Sequence, residues 1–354
     1  MPAPLPDPDF WRGRRVLLTG HTGFKGGWTA LWLHRMGARV TGIALPPEPP
    51  SLFHLLGLDR LVESAFVDLR DRPALTDAIK AADPEIVLHM AAQPLVRRSF
   101  TDPVESFAVN VLGTVHVLDA LRDVPDLTTV LVITTDKVYH NDESGHAHQE
   151  HDRLGGRDPY AASKAACEIV TASMAHSFLA PRSVAVATAR AGNVIGGGDF
   201  AADRLIPDVV RSARSGQRPI LRNPEATRPW QHVLDCVCGY LIYAAALTSV
   251  RNLPTSLNFG PGGGEQATVG RIADAMLSAL DAPTCWTHTA DSRMPETQAL
   301  ALDSHLARRT LGWTDRLRGQ LMIDATASWY RAWALGQDMA AFTLAQITEY
   351  EALS

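Results

Sequence analysis

The chain has 354 residues, 46% of them apolar, with 33 Lys and Arg against 38 Asp and Glu, a formal net charge of −5 and a pI near 6.2. That length buries a large core, and the composition excludes a disordered chain and gives no basic footprint for nucleic acid. The four cysteines (Cys167, Cys236, Cys238, Cys285) lack CxxC spacing, which argues against a disulfide framework or zinc site and fits a reducing compartment.

Residues 1–8 contain neither a basic nor an apolar leader block, and no apolar run approaches the roughly 20 residues of a membrane span. A cytoplasmic protein without membrane or nucleic-acid partners is expected. Arg15 to Thr19 then reads as a buried strand running into glycines, followed by a helix over Gly26 to Met36, with Trp28, Leu31, Trp32 and Arg35 at helical spacing. Arg39 to Leu45 reads as a second strand, ended by the prolines of 46–50. Further strands are predicted at Ala65 to Val67, Glu85 to His89, Thr129 to Thr134 and Val184 to Ala189, with helices over Pro73 to Ala82 and Val104 to Arg122. This alternation predicts an α/β protein with a Rossmann-type, doubly wound parallel sheet. After residue 190 the rhythm breaks. A dinucleotide-binding domain is therefore expected over 1–190, with a return near 230–260 and a possible strand at Leu257 to Phe259. A smaller, mostly C-terminal substrate-binding lobe is expected over 191–354. From Met322 the chain reads as helix, its Trp329, Tyr330 and Trp333 taken as packing residues.

The first chemical motif is Gly20-His-Thr-Gly23-Phe-Lys-Gly26, between a strand and a helix. Glycines let a backbone approach a pyrophosphate, and the helix N-terminus favours its charge; a plain tight turn is the alternative. Gly20, Thr22, Gly23, Phe24 and Gly26 are the candidate cofactor residues. The second strand ends Gly42-Ile-Ala-Leu45 without the acid that usually holds the ribose diol, which leaves NAD against NADP open at that position. Asp68 and Leu69 either hold the adenine edge or form a polar strand end. Ala91, Ala92 and Gln93 offer small side chains beneath a cofactor or serve helix packing. Asn110, a poor helix former inside a predicted helix, either bonds across the site or satisfies local backbone groups.

Tyr160 and Lys164 stand one helical turn apart on one face, so the ammonium can lower the phenol's pKa and fit it as a base. Thr135 can donate to a sugar oxygen. Asp136 and Lys137 add an acid and an amine, which sugar oxidation alone does not need and elimination of water does. Neighbouring strand residues point to opposite faces, so both reach one site only where the strand has already turned. Capping of the strand end is the alternative for this pair.

These segments resemble the extended short-chain dehydrogenase/reductase superfamily and, more narrowly, the CDP-glucose 4,6-dehydratases, nearly end to end. The matching stretches include Leu18 to Gly26, His89 to Arg97, Arg190 to Asp199, Asp203 to Pro207 and Arg228 to Val233. The resemblance implies NAD as cofactor, a nucleotide-sugar substrate (CDP-hexose) and a homodimer or higher homo-oligomer. It implies Tyr160 as the base at the glucose 4-hydroxyl, Lys137 as the C5 base and Asp136 as the acid for the departing 6-hydroxyl. Asn193, Arg204, Leu205 and Ile206 are implied along the nucleotide. Arg222 and Arg228, flanking a Pro-containing loop, suit the diphosphate or form surface ion pairs. Two stretches depart from the family. Glu143 to Asp152 is rich in histidine (His146, His148, His151), read as solvated rather than metal-binding, and Met294 to Gln298 retains only Glu296 of the usual pattern. The rival readings are a 4-epimerase, needing Tyr160 and Lys164 alone, and a non-catalytic dinucleotide binder.

Overall fold

The computed structural model describes residues 3–262, 267–289 and 297–353. Seven parallel strands form the central sheet: β1 (Arg15–Thr19), β2 (Arg39–Ala44), β3 (Glu63–Phe66), β4 (Ile86–His89), β5 (Thr129–Ile133), β6 (Ala185–Ala191) and β7 (Ser256–Phe259). Their spatial order is β7-β6-β5-β4-β1-β2-β3, the doubly wound arrangement, whose order reverses beside β1. Successive residues serve opposite cores. Val16 and Leu18 face one and Leu17 the other; Leu131 and Ile133 oppose Val130 and Val132. Burial on both faces explains why these strands read as continuous apolar runs. β7 joins the sheet beside β6 with Leu257 opposite Ala189, at the return read from the sequence.

Helices cover both faces. α1 (Phe24–Arg35) follows the glycine turn, and α2 (Arg72–Ala82) starts at Asp71, whose side chain caps Ala74 N. The predicted helix over Val104 to Arg122 is broken into Pro103–Phe107, a π turn at Ala108–Leu112, and α3 (Gly113–Ala120). The wider turn is centred on Asn110, a placement that propensity does not reveal and that recurs at functional sites. This stretch, Pro103–Asp123, is the one among the described residues long and apolar enough by composition to cross a membrane. It carries Glu105, Asn110, His116, Asp119, Arg122 and Asp123, so it is not an unbroken apolar run. It packs along α2 and the next long helix, α4 (Pro159–Met174), as one layer of the fold.

α4 begins with Asp158 accepting from Ala161 N at 2.8 Å and Pro159 in the first turn, a strong start signal. α5 (Leu205–Ser215) and α6 (Val233–Ser249) follow, and α6 packs on β5 and β6. The helix expected from Met322 onward is two helices, α7 (Gly319–Ala334) and α8 (Met339–Ala352), separated at Gly336, whose φ is +69°. Trp329 and Tyr330 are buried and Trp333 packs partly beneath the core, as packing residues should. Trp28 Nε1 donates to Gly197 O at 2.9 Å and Tyr330 OH to Asp199 O at 2.6 Å. A Cβ at Gly197 would lie 1.9 Å from the Trp329 ring. The Gly196–Asp199 loop is thereby pressed between α1 and α7.

A buried ion pair joins α4 to β6. Glu168 Oε2 lies 2.8 Å from Arg190 Nη2, both side chains about 5% exposed or less. Thr134 and Thr188 donate to the same carboxylate, and Arg190 Nη1 reaches Tyr139 OH at 2.8 Å. Arg190→Met leaves Glu168 buried without its cation. The expected loss of stability is about 3–5 kcal/mol, read as a lowered urea midpoint at unchanged slope; a midpoint within error of the parent contradicts it.

Candidate active site

The glycine turn leaves β1 and enters α1. Gly20 has φ +79°, and a Cβ there would lie 2.8 Å from Ala91 N; at Gly26 it would lie 2.0 Å from Gly20 O. Both positions therefore exclude side chains. Gly23 is open on its Cα face and is the α1 N-cap with no side-chain cap, which leaves first-turn N–H groups for an anion. Thr22 Oγ1 donates to Leu45 O at 3.1 Å and ties the turn to the end of β2. Such a cradle fits a dinucleotide pyrophosphate. Gly42, where β2 lacks an acid, has a local cause: a Cβ there would meet the His21 ring at 2.2 Å. His21 is held neutral, burial lowering its pKa to about 4.

The other cofactor candidates lie along the same strand ends. Ala91 N donates to Thr19 Oγ1 at 3.1 Å. Asn110 takes the alternative that crosses between segments. Its Oδ1 accepts from Gln93 N at 2.8 Å, and its Nδ2 donates to Gln93 O at 3.1 Å and Ser163 Oγ at 2.8 Å. It thus fixes the 91–93 segment against α4. Asp68 is engaged by Arg70, with a 2.6 Å contact that depresses its pKa, while Leu69 is buried beneath Gly113.

α4 carries Tyr160 and Lys164 to the end of β5. Lys164 Nζ donates to Ile133 O at 2.9 Å. Its pKa is lowered by burial, against the opposing influence of Cys167 and Glu168. The Tyr160 phenol is pushed up to about 12 by burial, although a hydrogen bond with Thr135 and the charge of Arg204 pull it down. In the cofactor-free chain desolvation is the largest influence on the phenol, and Lys164 Nζ is bonded to a backbone carbonyl.

β5 ends at Ile133 and Asp136–Val138 forms a 3₁₀ turn, and of this pair only Lys137 lines the cavity described below. Asp136 is 1% exposed, its Oδ1 accepting from Thr135 Oγ1 at 3.0 Å and its Oδ2 without a partner. Lys137 Nζ stands 3.8 Å from Asp136 Oδ1 and is 22% exposed.

Thr135, Lys137 and Tyr160 line a cavity of about 310 Å³ together with Phe24, Asn193, Arg204, Leu205, Ile206, Arg222 and Arg228. The remaining sequence candidates (Gly20, Thr22, Gly23, Gly26, Asp68, Leu69, Ala91, Ala92, Gln93, Asn110, Asp136 and Lys164) are not on its wall. Six cationic side chains line the cavity against four carboxylates, which suits an anionic ligand. Asn193 Oδ1 is buried without a partner. Arg204 pairs with Asp199 at 2.9 Å and Arg222 with Asp203 at 3.4 Å. Arg228 is buried and donates to the carbonyls of Thr227, Thr297 and Gln298. Glu296 lies outside the described residues.

Sequence reasoning passed over Lys25. It lines the cavity, its Nζ 5.6 Å from the centre of the Tyr240 ring, and its pKa is lowered by burial and by Lys164 and Arg204. The legible signal was a cation in the first turn of a helix, where the dipole disfavours it.

A pyrophosphate cradle beside a buried tyrosine and a cation-lined cavity defines an enzyme that works with a bound dinucleotide on an anionic substrate. The chain belongs to the NAD dependent epimerase/dehydratase family, whose model matches residues 16–279, and NAD is its cofactor. It is 42% identical to the CDP-glucose 4,6-dehydratase of Salmonella typhimurium over 97% of this chain and 98% of that one. It is 26% identical to a dTDP-glucose 4,6-dehydratase of Xanthomonas campestris, covering 90% and 95%. Among solved structures, an epimerase from Methanothermobacter thermautotrophicus superposes with a TM-score of 0.80 at 22% identity, covering 92% and 96%, and shares the fold.

The raised phenol is directly measurable. In cofactor-free protein, ultraviolet difference titration against Tyr160→Phe is expected to show Tyr160 still protonated at pH 10, where an ordinary phenol is half ionised. Ionisation at or below pH 10 contradicts the dominance of burial.

Proposed function

We propose that the chain is a nucleotide-sugar 4,6-dehydratase converting CDP-glucose to CDP-4-keto-6-deoxyglucose and water. The observation that carries this reading is that Thr135, Lys137 and Tyr160 face one cation-lined cavity, with Asp136 immediately behind it. High identity to a CDP-glucose 4,6-dehydratase over nearly the whole chain supports the choice of nucleotide. Bound NAD would accept the C4 hydride and return it to C6.

The residues divide the remaining work. Gly20, Thr22, Gly23, Phe24 and Gly26 hold the pyrophosphate side of the cofactor, and Ala91, Ala92 and Gln93, positioned by Asn110, form the floor beside it. Asp68 and Leu69 stand at the adenine end. Tyr160 takes the proton from the 4-hydroxyl, assisted by Thr135, once the charges of the bound cofactor and Arg204 offset its desolvation. The 4-ketone acidifies the C5 proton, which Lys137 removes. Asp136 protonates the departing 6-hydroxyl; its Oδ2 has no hydrogen-bond partner among the described residues. Asn193, Arg204, Leu205 and Ile206 line the nucleotide, and Arg222 and Arg228 face the diphosphate. We assign the cofactor domain to 1–190 together with the returning strand, and the substrate lobe to the remainder of 191–354.

The reading extends to assembly and location. Val104, Leu112 and Ile169 are 77%, 54% and 61% exposed, beside a nearly all-apolar groove between Pro103–Leu112 and Ala166; a second copy is the occupant we assign to it. All four cysteines are free thiols, in keeping with action in the cytoplasm.

Incubation with CDP-glucose and NAD⁺ is expected to yield a 4-keto product lighter by one water, whereas a 4-epimerase conserves mass; unchanged mass overturns the proposal. Lys137→Ala should retain C4 oxidation but slow solvent deuterium exchange at C5 by about 10²–10⁴-fold. Unchanged exchange places the base elsewhere.

A further inference from the structure

The loop that departs from the family, Glu143 to Asp152, brings three donor side chains to one point. His146 Nε2 lies 2.8 Å and His148 Nδ1 3.4 Å from Asp152 Oδ2, and the donor atoms of all three residues fall within 4.8 Å of one another. We propose that His146, His148 and Asp152 form a binding site for a divalent transition metal of the zinc type, which cross-links this loop internally around the buried His148.

Geometry supports it first. Tetrahedral ligands at 2.0–2.1 Å from zinc stand about 3.4 Å from each other. The His148–Asp152 separation matches that value, the His146–Asp152 separation is shorter at 2.8 Å, and all three donors lie within 4.8 Å of one another, so side-chain rotations bring the set into tetrahedral range. Donor chemistry agrees, because two imidazoles and one carboxylate suit zinc, cobalt or nickel and not the all-oxygen shells of magnesium or calcium.

The scaffold is largely in place. His148 is 4% exposed and its ring stacks on Tyr139 at 4.8 Å and 10°. Its backbone pairs in a short parallel ladder, Ala147–His148 with Ala301–Leu302, and its carbonyl accepts from Asn258 Nδ2 at 3.0 Å. Asp152 Oδ2 also accepts from Gln149 N at 3.0 Å, which orients the carboxylate. His146, 54% exposed, closes the set from the solvent side and leaves the fourth position to water. Tyr139 follows Lys137 by two residues, so the cross-link would steady the segment joining Asp136 and Lys137 to Tyr160. The competing arrangement is a hydrogen-bonded His–Asp cluster that holds no metal.

Full-length protein stripped with chelator and titrated with Zn²⁺ by calorimetry is expected to bind one equivalent per chain and to melt at a higher temperature; Mg²⁺ should do neither. His146→Ala removes an exposed ligand without disturbing the core, and should weaken Zn²⁺ binding by tenfold or more and abolish the thermal shift. Asp152→Asn should do the same, and the tetrahedral ligand-field absorption of bound Co²⁺ should vanish in both variants. Absence of stoichiometric Zn²⁺ binding by the parent protein, an equal response to Mg²⁺, or equal Zn²⁺ affinity in His146→Ala overturns the proposal.

Discussion

The hydrogen bond from Lys164 Nζ to the carbonyl of Ile133 sets the distance between α4 and the end of β5, and the chemistry of the cavity follows from that distance. An ammonium is costly to bury unless its protons find acceptors. The last carbonyl of β5 is such an acceptor, because the strand ends there and the chain turns away. With the helix docked, Tyr160 is brought against Thr135, and the 3₁₀ turn sets Lys137 on the cavity wall with Asp136 buried behind it. One turn further along α4, the Glu168–Arg190 pair and its threonine donors lock the helix against β6. α4 is thus held at two successive levels by polar contacts in an apolar interior, where directional bonds specify position more narrowly than apolar packing does.

Desolvation governs the electrostatics of the site. It raises Tyr160 and lowers both Lys164 and Lys25, in each case favouring the neutral form. A neutral phenol is not a base, so the proposed role of Tyr160 needs the positive charge of bound NAD⁺ to offset that desolvation. The orphaned oxygens of Asp136 and Asn193 belong to the same picture, since buried polar atoms left unpaired in a protein of this size are few and call for a partner that the ligand can supply.

The substrate side is built differently. Arg204 and Arg222 are each paired to a nearby aspartate, and Arg228 is anchored on carbonyls. Their guanidinium groups are therefore oriented before any ligand arrives, which reduces the ordering cost of binding an anionic group. The Gly196–Asp199 loop that leads to Arg204 is wedged by Trp28 and Trp329, so packing in the core reaches directly to the cavity wall.

Much of this was legible in the sequence. The alternating apolar runs dictated the parallel sheet, because strands buried on both faces must be apolar throughout. The glycines of the first turn announced a close backbone approach, and the Tyr160–Lys164 spacing fixed both residues on one helical face. The break at Gly336, the π turn around Asn110 and the helix starting at Phe24 rather than Gly26 are local departures that short-range pattern does not resolve. What only the tertiary structure decided were the partners. Lys164 bonds the Ile133 carbonyl, Asp136 keeps one oxygen bare, Lys25 enters the cavity, and three loop polar residues meet at one point. The physical reason is that periodicity encodes which face a side chain occupies, whereas charge state and bonding depend on the distance to atoms tens of residues away and on how much water the assembled fold has expelled.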